Sequence, residues 1–211
     1  MIASGNHKWF FLLLLGMGAG VFFFFYGDIY LSKFCTGLSH PMRNSLKVVS
    51  HMLSPSFHLA FWSAIYLTAV CRKKKDRFLS FSKQILYSLG LSLPLVYCMK
   101  IMLGRARPEL FIQNIYGFYF MMHNHHYHSF PSGHAAVASC LLMPLLRFLP
   151  KFRIVWMALF LFFSSSRVLL NYHYASDIVG SATICYLLQE FWRRKNKDTK
   201  KRKSDLYNPI S

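Results

Sequence analysis

The sequence predicts an all-α integral-membrane protein, a six-span transmembrane helical bundle forming one domain over residues 1–211. Three observations carry this. The chain is 54% hydrophobic and 18% aromatic, with 21 Phe, which is more apolar side chain than a soluble domain of this length buries. Apolar runs long enough to cross a bilayer recur along it. The formal charge of +18 is gathered in short clusters between and after those runs instead of being spread over one face.

The first run, residues 9–26, is apolar or glycine throughout. A signal peptide is its rival, with Lys8 as the charged start and the stretch from Gly16 to Gly20 as the small-residue site. The run continues through Phe22 to Phe25, past any such cleavage point, so a retained span is expected. Residues 28–53 read as a polar connection carrying Lys33, Arg43 and Lys47. Ser54-Pro55 has the form of a helix start, and a second span follows over 57–71, stopped by the charges from Arg72 to Arg77. The third covers 78–103, with Pro94 as an expected kink. The longest connection, 104–130, has an aromatic part, 110–122, suited to the membrane interface, and then a histidine-rich part. Spans over 132–149, 154–170 and 176–192 follow, and a basic tail occupies 193–211.

Six crossings put both termini on one side. The connections after the second and fourth spans, and the tail, hold most of the Lys and Arg, so the positive-inside rule places them in the cytoplasm. The tail therefore reads as a topology signal and anionic-lipid anchor, not a nucleic-acid arm. The five cysteines are odd in number and far apart, and read as small packing residues, without a disulfide or zinc pattern.

On that topology several polar clusters fall at the outer end of the bundle. Lys100 is followed by Arg105, Arg107 and Pro108. Gly104 and Pro108 should fray the helix and leave Arg107 extended. Pro131-Ser132-Gly133-His134 opens the fourth span, where free backbone N–H groups and the helix dipole favour an anion and Gly133 leaves room for close approach. Arg167 ends the fifth span. If the chain is helical from His173 onward, His173 and Asp177 share a face, and the carboxylate can take one ring N–H and free the other nitrogen. Each cluster alone has a plain structural reading: snorkelling cations, an ordinary helix cap, a polar collar. Together, three cations (Lys100, Arg107 and Arg167) and a helix start, with a single carboxylate already committed to a histidine, suit a multiply charged oxyanion. Arginine's fork fits phosphate in particular. One histidine would attack phosphorus and the other protonate the leaving oxygen. Spacing alone does not say which. Lack of a second acidic residue argues against a two-metal site.

The run from Lys100 to Arg107-Pro108, then Pro131-Ser132-Gly133-His134, then Ser166-Arg167 through His173 to Asp177 closely resembles the three-part signature of the type 2 phosphatidic acid phosphatase family. Order, spacing and every signature residue match, and the span layout is like that of its membrane-bound bacterial-type members. The resemblance implies a metal-independent lipid phosphatase needing no cofactor. By it His173 is the nucleophile that becomes a phosphohistidine, Asp177 orients it, and His134 is acid and then base. Lys100, Arg107, Arg167, Ser132 and Gly133 would bind phosphate. The expected partners are a phosphorylated lipid and the membrane, with the site facing the periplasm of a bacterial inner membrane. Lipid A phosphate, undecaprenyl pyrophosphate, phosphatidylglycerol phosphate and phosphatidic acid are the candidate substrates.

Phosphoryl transfer to an alcohol or lipid acceptor is the rival within the same chemistry. An anion carrier is a rival of another class, opposed by cations gathered at one face instead of along a path. A scaffold without catalysis would leave the paired histidines without purpose. The cluster His123, His125, His126 and His128 has the composition of a metal site, with lipid-headgroup contact or a solvated loop as alternatives.

Overall fold

The computed structural model describes residues 4–72 and 77–207, and the side chains of 10–72 and 78–196. The stop at Lys73–Asp76 and the tail side chains beyond residue 196 lie outside the described residues. Eight α-helices run in order: α1 (Ser4–Phe22), α2 (Asp28–Thr36), α3 (His40–His51), α4 (Pro55–Cys71), α5 (Arg77–Leu103), α6 (Gly133–Phe148), α7 (Arg153–Leu169) and α8 (Ala175–Tyr207). Among the described residues three helical stretches are long and apolar enough to cross a membrane: Phe10–Thr36, Phe78–Leu103 and Pro150–Leu169. α6 is apolar but shorter.

α6 sits between α5, α7 and α8, and α1 lies along α8. Alternating small and large side chains let these helices close up. Ala136, Val137, Ala138 and Cys140 of α6 meet Ile85, Leu89 and Val96 of α5 and Cys185 of α8 in one buried cluster. Gly180 of α8 is required by its neighbour, since a Cβ there would lie 2.3 Å from the Phe130 ring.

One sequence expectation needs correction. Residues 28–53, read as a polar connection, form two helices, α2 and α3, and the first apolar helix runs on into α2 through a π-helical turn at Phe23–Gly27. The physical reason is Asp28: its carboxylate is fully buried by an ion pair, so the chain stays helical past the polar residue. The basic tail continues α8 as helix to Tyr207. The aromatic stretch 110–122 begins within a short 3-10 turn, Pro108–Gln113, and continues as irregular chain with positive φ at Asn114, Phe120 and Met121. α5 runs on through Pro94.

Candidate active site

Gly104 stops α5 with a φ of 56°, where a Cβ would meet the Phe120 backbone nitrogen at 3.0 Å. The chain then runs extended against residues 117–119. Ala106 N–H donates to Gly117 O (3.0 Å), Tyr119 N–H donates to Gly104 O (3.0 Å), and Arg105 and Phe118 form a bridge. Arg107 is extended before Pro108, as the pre-proline clash requires, and its N–H donates to His126 O at 2.9 Å. Its guanidinium has no protein hydrogen-bond partner among the described residues, and its Nε is buried. Burial lowers the Arg107 pKa against Glu109 and Asp177, which oppose the shift, but arginine remains a cation at neutral pH. Lys100, in the last turn of α5, donates from Nζ to His128 O at 2.7 Å.

Ser132 caps α6: its hydroxyl accepts from Ala135 N–H (3.4 Å) and its own N–H donates to Ser181 Oγ (2.6 Å). Ala136 N–H donates to Ser132 O, and among the described residues the N–H groups of Gly133 and His134 have no protein partner. A Cβ at Gly133 would meet only Pro55 Cγ at 3.8 Å, so packing does not demand this glycine. Arg167, near the end of α7, donates from Nη1 to the Ser50 hydroxyl of α3 and lies 4.6 Å from the Tyr172 ring centroid, while its Nε is buried and has no partner among the described residues. α3, absent from the sequence reading as an element, is what holds this arginine.

The structure gathers the sequence-predicted residues. Lys100 senses the charges of Asp177, Arg107 and Arg167, and His134 senses Arg167, His173, Lys100 and His51. The relation of His173 to Asp177 differs from expectation. α8 begins at Ala175, so His173 precedes the helix, and its Nδ1 is 3.6 Å from Asp177 Oδ2, beyond a hydrogen bond. The partner of Nδ1 is the Ser129 backbone carbonyl at 2.7 Å. A carbonyl only accepts, so Nδ1 carries the proton and the lone pair is on Nε2. Burial of the His173 ring, 3% exposed, drives its pKa down to about 3 against the pull of Asp177. The ring is therefore neutral at physiological pH.

Asp177 is committed elsewhere. Oδ1 accepts from Arg105 Nη1 (2.5 Å), and Oδ2 from the Ser129 hydroxyl (2.6 Å) and Tyr174 N–H (2.8 Å). The last of these is half of a capping box, a carboxylate at the third helical position reaching back to the residue before the helix. Sequence reasoning missed Arg105, Asp28, Ser129 and Ser50. A signal existed for one: Asp28 is one of seven acidic residues and directly follows an apolar run, where an ionised group is functional by default.

In the histidine cluster, His126 Nδ1 faces Glu109 Oε1 at 2.7 Å and the His128 ring donates to Met122 O at 2.8 Å. No three metal-capable side chains converge among the described residues.

A sequence profile of the PAP2 superfamily matches residues 81–199. The lipid A 1-phosphatases of Rhizobium etli and Rhizobium johnstonii are each 32% identical over 85 residues, 39% of this chain. That segment is 36% and 34% of their lengths, so the chain spans about a third of the curated relatives it matches. The crystal structure of a transmembrane PAP2 type phosphatidylglycerolphosphate phosphatase from Bacillus subtilis superposes with a TM-score of 0.60, covering 90% of this chain and 97% of that one at 20% identity. At that identity the likeness is one of fold.

Proposed function

This chain belongs to the PAP2 superfamily, and on that premise we propose that it is a metal-independent membrane lipid phosphatase working through a phosphohistidine. The observation that carries the reading is the state of His173: buried, neutral, tautomer fixed by Ser129 O, with the Nε2 lone pair left free in the field of Lys100 and Arg167. Arg107, Arg167 and Lys100, with the free N–H groups of Gly133 and His134, bind the phosphate oxygens. The Nε2 lone pair forms a bond to phosphorus as the P–O bond to the lipid breaks. His134, which takes up a proton once the anionic phosphate is seated among Lys100, Arg107 and Arg167, gives that proton to the leaving oxygen. Neutral His134 then takes a proton from water, the oxygen of that water attacks phosphorus, the P–N bond breaks, and inorganic phosphate leaves. Asp177 offsets the positive charge that grows on His173.

The bundle is read as six crossings with both termini cytoplasmic and the site at the outer, periplasmic face. α6 has 16 residues and spans about 24 Å, against about 30 Å of hydrocarbon. Its first turn, which carries Gly133 and His134, then lies slightly below the outer surface, within reach of a headgroup phosphate. The substrate class is a phosphate monoester or pyrophosphate of an envelope lipid. Lipid A 1-phosphate heads the candidates because two relatives carry that activity in their names. The test is phosphate release by purified protein from a panel of lipid A, undecaprenyl pyrophosphate, phosphatidylglycerol phosphate and phosphatidic acid, with and without chelator. Turnover of one or more lipids, undiminished by chelator, is expected. No release from any refutes the reading.

A further inference from the structure

Among the described residues Arg105 is the largest fully buried side chain, 1% exposed, and the chemistry proposed above does not use it. Its guanidinium bridges two carboxylates from opposite ends of the sequence. Nη2 donates to Asp28 Oδ2 at 2.7 Å, and Nη1 donates to Asp177 Oδ1 at 2.5 Å and to the Ser176 hydroxyl at 2.6 Å. Ser176 closes the ring, donating its N–H to Asp28 Oδ1 at 3.0 Å and its hydroxyl to Asp28 Oδ2. Four aromatic rings, Phe24, Tyr116, Phe118 and Tyr174, surround the guanidinium at 4.6–5.8 Å from centroid to Cζ. Tyr116 is anchored in turn through its hydroxyl to Phe24 O, inside the π-helical turn that precedes Asp28.

Three charges with no water around them cost several kcal/mol each to desolvate, so a purely stabilising role is poorly served by this arrangement. What it does achieve is control of Asp177 and, through Ser129, of His173. Ser129 N–H donates to Arg105 O (3.0 Å), its hydroxyl donates to Asp177, and its carbonyl accepts from His173 Nδ1–H. Burial opposes the charge on Arg105, but the Asp177 and Asp28 carboxylates overcome it and raise its pKa, so the cation is fixed.

We propose that Arg105 and Asp28 are positioning residues, a clamp through which the end of the first apolar helix keeps Asp177 ionised and aims His173. The inference rests on the phosphohistidine reading. The groups facing Asp177 are Arg105 and Arg107 from the extended segment after α5, Lys100 from α5, Tyr116 and Ser129 from the connection, and His173 and Tyr174 from the turn before α8. Among the described cations Arg105 alone is hydrogen bonded to it. Without that partner a buried carboxylate takes up a proton, and only rising pH restores its charge.

The experiment measures kcat and KM from pH 5 to 9 for phosphate release by the wild type and by Arg105→Gln, Arg105→Lys and His173→Ala. Arg105→Gln should lose about 10- to 100-fold in kcat at pH 7, the scale of an outer-shell partner. It should recover as pH rises, the acid limb moving up by at least about one unit. A smaller active fraction scales the curve without moving that limb, so an unmoved limb overturns the proposal. Arg105→Lys keeps a charge but lacks the fork, so it should hold the limb and KM while losing about tenfold in kcat. Where Arg105→Gln does not accumulate, a wild-type kcat in Arg105→Lys overturns the proposal. Retained release by His173→Ala would sink the phosphohistidine reading instead, a result distinct from either.

Discussion

Replacing His173 by Ala tests the nucleophile most directly. The side chain removed holds the one imidazole nitrogen that the structure frees and orients: Nδ1 is tied to Ser129 O, and burial leaves Nε2 unprotonated at physiological pH. No other group in the site is prepared in the same way. The Ser132 hydroxyl caps α6, and among the described residues the His134 ring has no hydrogen-bond partner to set its tautomer. Turnover should therefore fall by at least about 10³-fold, a barrier increase of about 4 kcal/mol. The residue of activity left would come from water attacking phosphate still held by Lys100, Arg107 and Arg167. The assay pairs phosphate release with a brief exposure to radiolabelled substrate and an alkaline quench, since a phosphohistidine survives base and is lost in acid. Label should appear in the wild type and vanish in His173→Ala. It should build up in His134→Ala when the leaving group needs no proton, because the base that activates water is then missing. Activity in His173→Ala within tenfold of wild type, or label carried by another residue, would refute the reasoning.

Arg107→Ala should lower kcat/KM by about 10²- to 10³-fold, the scale of one lost oxyanion donor, and Arg107→Lys should recover only part of it because an ammonium lacks the planar fork. Weaker inhibition by vanadate would place the loss at the phosphate, and an unchanged rate would remove Arg107 from the site. Acidification should destabilise the fold through His173. Its pKa is about 3 when folded against about 6.5 unfolded, so between those values the unfolded chain binds the extra proton and stability drops as pH falls, by up to about 1.4 kcal/mol per unit. Thermal melts in detergent at pH 7 and 5 check this, and His173→Asn should show a smaller fall than wild type. Gly180→Ala would set a Cβ 2.3 Å from the Phe130 ring beside the Pro131-Ser132 turn, an overpacking cost of about 1–3 kcal/mol. A melting temperature equal to wild type would show that the ring yields freely.

What was legible in the sequence divides along a physical line. The proposed phosphate cradle was readable because each of its parts is local: Lys100, Arg107 and the Ser132–His134 helix start are each fixed by a helix end, a glycine or a proline within a few residues. The clamp was not, because Asp28 and Arg105 lie 77 positions apart and Arg105 and Asp177 lie 72 apart. Ion pairing over such separations leaves no mark in periodicity or spacing. The same limit explains the error over Asp177. Its place four residues after His173 suggested a direct contact, which requires helix through both, yet the chain turns at Asn171 with φ 60° and becomes helical only from Ala175. The carboxylate spends its lone pairs on Arg105, Ser129 and the Tyr174 N–H, and Ser129 O accepts from His173 Nδ1–H. An aspartate in this arrangement acts on the histidine mainly by charge and by holding Ser129. Its neutralisation should therefore cost more than loss of a single hydrogen bond, and supplying a new acceptor for Nδ1 should not replace it.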